Sequence, residues 1–318
     1  VPPSARAPRR HGFALEGVLG TTLELTLLGS AERAKDACAA LLGEVERLER
    51  VFSRFLPDSD LRRWLRGEAV AASSELFPLL REAQRWSDAT GGAFHPGAQA
   101  CARLWSEGER RGAPPERAAQ ERCAAALGRF SGDGAPPPYE IALDAIAKGR
   151  IVDALVGVAA AGFDLEGGLV NVGGDLRAWG SCEAVVAVAD PNSGADNAAI
   201  VATVHLRDAA LATSGVRRRG YRIAGTWYPH LIDPRHGRPV ERVGGATVVA
   251  ATCAVADVLA TACCVLEPTE ALELAAGLPG VGVAIWNGDG AVVANERFLA
   301  RSPEGVRRSP RGPDHERS

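Results

Sequence analysis

Ile141-Ala142-Leu143-Asp144-Ala145-Ile146-Ala147-Lys148-Gly149-Arg150-Ile151-Val152-Asp153 marks a change of character along the chain. Helical periodicities crowd together before it, and short strand patterns separated by helices follow it. The stretch reads as a short strand at 140–143 running into a helix over 146–161, with Lys148 in the first turn. Lysine is a rare choice here, one of two among 36 basic residues, the rest being arginine. Backbone N–H groups at a helix start favour anions, and a lysine beside them adds a mobile point charge suited to phosphate. These features point to nucleotide binding.

Working outward, residues 13–28 alternate apolar and polar side chains around Gly20, the pattern of a strand or hairpin. Residues 31–51 form an amphipathic helix with Leu41, Leu42, Val45 and Leu48 on one stripe. Shorter helices are predicted at 59–66, 74–90, 94–106 and 115–127, followed by a Gly- and Pro-rich break at 131–138. Beyond the quoted stretch, strands are predicted at 169–172, 176–179, 184–189, 200–205, 221–223 and 247–250. Helices at 255–266 and 269–276 precede a closing hairpin, 281–286 to 291–294, that turns at Asn287-Gly288-Asp289-Gly290. Early helices and late antiparallel-looking strands favour an α+β fold over a doubly wound one. Residues 1–11 and 301–318, rich in Pro and Arg, read as a disordered arm and tail around a single domain at 12–300.

With 318 residues, 46% of them hydrophobic, the chain can bury a large core. A net charge of −3 and the absence of a long basic run argue against a nucleic-acid partner. No apolar stretch approaches the ~20 residues of a transmembrane helix. Methionine is absent, position 1 included, so a natural start and any export signal are expected to lie outside this sequence. The seven cysteines follow no zinc spacing and read as small buried hydrophobes without a disulfide framework.

Three segments carry candidate chemistry. Asn171-Val172-Gly173-Gly174-Asp175 links two strands, and its glycines suit either a tight turn or close approach of a ligand. Tyr228-Pro229-His230-Leu231-Ile232-Asp233-Pro234-Arg235-His236-Gly237 offers His230 as a general base near neutral pH; Asp233, before Pro234, reads as a turn former. Asp257 and Thr261 lie four apart in an apolar helix and share one face. Together they present hard oxygens suited to Mg²⁺, and an unpaired carboxylate in such a helix would be costly to bury.

Taken in order, these segments resemble the ApbE-like flavin transferases (FAD:protein FMN transferases). The resemblance is carried also by Ser53-Arg54-Phe55-Leu56-Pro57-Asp58-Ser59, Gly92-Ala93-Phe94-His95-Pro96, Ala145-Ile146-Ala147-Lys148-Gly149 and Ala212-Thr213-Ser214-Gly215. It runs from Leu19 to Gly290. It implies a T-fold-like α+β architecture, a helical portion packed on a mostly antiparallel sheet, with the ligand cleft between them. It further implies Mg²⁺ held by Asp257, Thr261 and the backbone carbonyls of Ala145 and Ala260. FAD contacts are implied at Leu19, Phe55, Ala93, Phe94, His95, Ala142, Lys148 and Leu231, with His230 and Asp257 as catalytic residues. The implied reaction passes FMN from FAD to a Ser or Thr hydroxyl of an exported acceptor protein and releases AMP. Some relatives only hydrolyse FAD, and a homologue that binds FAD without turnover is a further alternative. A periplasmic or membrane-associated setting is likewise implied.

The chain departs from the family pattern at the flavin end. A methionine is usual near Leu19, a tyrosine at Phe55, and an aspartate at both His95 and Ala142. Each lost acceptor is worth ~0.5–1.5 kcal/mol, so weaker FAD binding is expected, unless Asp144 compensates. Asp190-Pro191-Asn192-Ser193-Gly194-Ala195-Asp196 resembles the acceptor sequence, with Asp196 in place of its terminal hydroxyl residue. No covalent FMN is expected there.

Overall fold

The computed structural model describes residues 9–130, 134–195, 197–217 and 219–310. The chain opens with strands β1 (Arg10–Val18) and β2 (Thr21–Leu28), then helices α1 (Ala31–Phe52), α2 (Asp60–Leu65), α3 (Leu76–Ala89), α4 (Ala98–Arg111), α5 (Arg117–Ala126) and α6 (Asp144–Gly162). Strands β3 (Gly167–Val172), β4 (Asp175–Ala189) and β5 (Ile200–Gly215) follow. Two small hairpins come next, β6 (Gly220–Ile223) with β7 (Thr226–Pro229), and β8 (Ile232–Asp233) with β9 (Arg238–Pro239). Strand β10 (Val243–Ala250), helices α7 (Cys253–Val265) and α8 (Pro268–Ala276), strands β11 (Gly282–Asn287) and β12 (Val292–Ala294), and helix α9 (Glu296–Leu299) complete it.

Eight strands form one antiparallel sheet in the order β1-β2-β3-β4-β5-β10-β11-β12. Neighbours β2 and β3 pair with Leu23 opposite Val172, so the whole run from α1 to α6 is an insertion between adjacent strands. In β2, Leu23, Leu25 and Leu27 are buried while Glu24 is exposed, the period-2 signature of a strand with one face on the core. Against that face lies the stripe Ala34, Ala37, Cys38, Leu41, Val45, Leu48 and Phe52 of α1. Ser30 caps this helix by accepting from Arg33 N.

Strand β10 is buried at every position. Its Ala246, Val248 and Ala250 meet α7, and Val249 meets the opposite core with Leu211, Trp286 and Phe298. A strand covered on both faces reads as a continuous apolar run, which is why it shows no alternation.

Several boundaries differ from the sequence expectation. Residues 140–143 form no strand; they are an extended lead-in, and Ala142 N donates to the carbonyl of Pro96. The helix expected at 94–106 begins only at Ala98. The strands expected at 176–179 and 184–189 are one strand, β4, with a register irregularity between Ala178 and Glu183. β5 runs on to Gly215, which carries the Ala212–Gly215 segment to the mouth of the cleft.

Arg10 and His11, expected in the disordered arm, pair with Leu28 and Leu27. In the expected tail, Val306 bridges to Ala202 and the Arg307 carbonyl accepts from the indole N–H of the fully buried Trp286. A buried donor needs such an acceptor, and packing rather than composition decides that segment. The remainder of the arm (1–8) and tail (311–318), and 131–133 of the Gly/Pro break, lie outside the described residues.

Helices α6 and α7 cross at Gly149, where an added Cβ would meet the carbonyl oxygen of Cys253 at 2.5 Å. Gly149→Ala should therefore lower stability by about 1–3 kcal/mol, seen as a reduced urea midpoint with unchanged slope.

Candidate active site

The first turn of α6 is irregular. Ala145 has φ −91° and ψ 17°, outside helical values, which turns its carbonyl off the regular ladder. Four residues on, Gly149 N donates to Oδ2 of Asp257 at 3.2 Å. The carboxylate of Asp153, one turn further, accepts from Cys253 N at 2.8 Å and Ala254 N at 2.9 Å, and pairs with Arg177 at 2.7 Å. Thr252, at the N-cap position of α7, makes no side-chain cap bond, so Asp153 of α6 caps it instead. Each helix thus supplies a carboxylate to the backbone of the other.

Lys148 is ion-paired with Asp175. Asp175 reaches it because Gly173 and Gly174 turn at φ 59° and 98°, with Gly174 N donating to Asn171 Oδ1 at 2.9 Å. The Asn171–Asp175 segment is thus a tight turn that also places a buried acid under the lysine.

Asp175 is held above the ordinary carboxylate range by burial, against the pull of Lys148. Asp257 is pushed up to about 8 by burial and then by the charge of Asp175, against Lys148 and the Gly149 N–H. Burial alone would depress the Lys148 ammonium, but Asp175 and then Asp257 outweigh it and hold the group above its usual value. Two buried acids face one ammonium, so the cluster is a positive charge short whenever both are ionised, and burial holds Asp257 protonated near neutral pH in the absence of a further cation.

Lys148 and Asp257 border a cleft of about 710 Å³ between the helical insertion and the sheet, with Asp175 buried behind the lysine. Of the positions singled out in the sequence, Ala93, Phe94, His95, Ala142, Ala145, Lys148, His230, Leu231, Asp257 and Thr261 all line it. Thr261 Oγ1 lies 3.2 Å from Ser214 Oγ, a second hydroxyl in the wall.

Leu19, Phe55 and Ala260 are not in the wall. Leu19 sits in the β1–β2 turn with φ 52° and packs on the core. Phe55 is 75% exposed, its ring 4.3 Å beneath the guanidinium of Arg54. Ala260 is enclosed within α7.

His230 Nδ1 and the Arg219 carbonyl are 3.1 Å apart. With Nδ1–H donating to that oxygen, the neutral ring keeps Nε2 as a free acceptor. Burial depresses its pKa below the usual 6.5 of a histidine, with the Arg219 carbonyl working the other way. His95 is occupied differently. Its Nδ1 accepts from Gly97 N at 2.9 Å, it also bonds to the Gly128 backbone, and it packs against Phe130 and Tyr139. It has no acceptor left for a ligand. Asp144 lines the cleft but is paired with Arg54 at 2.7 Å.

The donor set suits a hard divalent cation: a buried acid whose ionised form lacks a full counter-charge, a hydroxyl one turn on, and a displaced backbone carbonyl. Among the described residues no three His, Cys, Asp or Glu side chains converge as a metal cage.

The ApbE family model matches residues 19–285. The chain belongs to the ApbE family. It is 31% identical over 331 residues to the FAD:protein FMN transferase of Treponema pallidum, covering 93% of this chain and 90% of that protein. It is 29% identical to the FAD:protein FMN transferase of Rhodobacter capsulatus, covering 89% of this chain and 57% of that one. The fold matches the ApbE protein of Thermotoga maritima with TM-score 0.79 at 24% identity, over 92% of this chain and 99% of that one. It matches the apo form of the Pseudomonas stutzeri flavinyl transferase ApbE with TM-score 0.78 at 22% identity, over 95% and 100% of the two chains. This α+β architecture is the ApbE fold.

Sequence reasoning passed over Asp153, Ser214 and the Arg54–Asp144 pair. Asp153 carried a signal, an acid four residues from Gly149 on the same face of an apolar helix. Asp153→Ala removes the cap of α7 and should cost about 0.5–2 kcal/mol, measurable by thermal or urea unfolding.

Proposed function

We propose that this chain is an FAD:protein FMN transferase, dependent on Mg²⁺, acting on an exported acceptor protein in the periplasm or at a membrane. The reading is supported above all by the juxtaposition of Asp257, Lys148 with its partner Asp175, and the His230 imidazole at one cleft. The similarity to FAD:protein FMN transferases along most of the chain points the same way.

Asp257, Thr261 and the Ala145 carbonyl would hold Mg²⁺, which supplies Lewis-acid neutralisation of the FAD diphosphate. Lys148, kept charged by Asp175, lies where a diphosphate oxygen would need a fixed cation. His230 Nε2 takes the proton from the acceptor hydroxyl as its oxygen attacks the FMN-side phosphorus. The bond to the bridging oxygen breaks and AMP departs. With His95 consumed by Gly97 and Gly128 and Asp144 by Arg54, the flavin end keeps fewer free carboxylates than the family pattern. Asp196, which closes the acceptor-like segment 190–196, lies outside the described residues.

Incubation with FAD, Mg²⁺ and an acceptor peptide bearing a Ser or Thr should yield AMP and a peptide heavier by FMN. In Asp257→Asn the rate should fall at least ~100-fold while the far-ultraviolet spectrum is retained. Free FMN without any adduct would replace transfer by hydrolysis, and an active Asp257→Asn would remove the metal assignment.

Because burial lowers its pKa, His230 is neutral and able to accept a proton throughout the neutral range, charging only as the pH drops below 6.5. The acid limb of the pH–kcat/KM profile should fall below 6.5 and vanish in His230→Ala. A limb that persists in that variant assigns the titration elsewhere.

A further inference from the structure

Helix α5 buries none of its side chains, and an isolated helix of such length is marginal in water. Its supports are local. The Gln120 carbonyl lies so close to Gly237 that a Cβ there would collide with it, and Cys123 joins a small apolar cluster with Cys101, Trp105, Ile223 and Ile232. Within that cluster Cys101 Sγ is 2.7 Å from Cys123 Sγ. This is well inside the contact distance of two thiols and not far above the ~2.05 Å of a disulfide bond. Cys101 is fully buried on α4, whereas Cys123 is half-buried on α5 and can meet a small reagent. The pair is not visible along the chain, because 22 residues and a helix-to-helix turn separate the two positions.

We propose that Cys101 and Cys123 form a disulfide that clips α5 onto α4 and braces the wall of the cleft that carries His230. Ala98, Gln99 and Ala102, from the same turns of α4 as Cys101, line the cleft. Trp105, one turn further, donates its indole N–H to the Gly237 carbonyl at 3.0 Å and packs on Tyr228 with ring centroids 4.9 Å apart. Tyr228 lies two residues before His230.

The oxidant is a low-molecular-weight disulfide. The Cys123 thiolate attacks one of its sulfurs, forming a mixed disulfide and expelling one thiolate. Cys101, losing its proton to solvent, attacks the Cys123 sulfur and expels the second. Two electrons pass to the oxidant, which leaves as two thiols. The burial that holds the Cys101 thiol above its usual pKa slows the second attack, so ring closure is favoured while the chain is still folding.

The test uses the full chain refolded and equilibrated with oxidised glutathione, then alkylated in denaturant and digested without reduction. The expected result is one cross-linked peptide pair containing positions 101 and 123, with the other five of the seven cysteines alkylated. The oxidised protein should melt on the order of 5 °C above the same protein in dithiothreitol, and Cys123→Ser should erase that difference. Seven alkylated cysteines, a glutathione cap left on Cys123, a different pairing, or a melting temperature indifferent to dithiothreitol would each overturn the proposal. Both readouts are independent of flavin transfer and stand or fall apart from it.

Discussion

The site depends on the close approach of two helices at a residue without a side chain. Because Gly149 has no Cβ, α7 comes near enough for Asp257 to accept the Gly149 N–H, while Asp153 of α6 accepts the first N–H groups of α7. The two carboxylates are exchanged between the helices, so neither helix can slide without leaving a charge or several backbone donors unpaired. An unpaired buried charge is among the larger destabilising defects in a fold. The register of Asp257 relative to Lys148 is consequently as rigid as the core.

On that foundation the chain sets an electrostatic imbalance. Lys148 answers one of two buried acids, and the other, Asp257, would ionise fully only with a further cation beside it, in a wall where Ala145 and Thr261 add uncharged oxygens. The same cleft carries an imidazole whose tautomer is fixed by a backbone carbonyl rather than by another acid. The cleft thus combines groups suited to a cation and a diphosphate with a neutral proton acceptor. It exists because a helical insertion leaves the sheet between β2 and β3 and returns across its face.

Most of this scaffold was legible from periodicity. The stripe of α1 and the β1–β2 hairpin announce themselves because one face of each is buried and the other is wet, and the closing β11–β12 hairpin through its Asn287-Gly288-Asp289-Gly290 turn. Where the environment is uniform, the signal fails. Residues 141–143 are apolar like a strand, yet Ala142 N bonds to Pro96 rather than to the sheet. Residues 301–310 have the composition of a tail, yet Trp286 and Asp190 bind Arg307 and Ser309 within them. His95 lines the cleft, yet Gly97 and Gly128 take up both of its ring nitrogens.

The amino-acid sequence by itself determined the secondary elements with amphipathic patterns, the α+β class, and the presence of a lysine, an acid–hydroxyl pair and a histidine suited to diphosphate chemistry. Those are properties of local spacing and residue type. Only the tertiary structure decided that Asp175 neutralises Lys148, that Asp153 caps a helix not its own, that Phe55 stays outside the cleft, and that Cys101 faces Cys123. Each joins residues distant in sequence, and burial, which sets their charge states, is fixed only when the sheet and helices have closed around them.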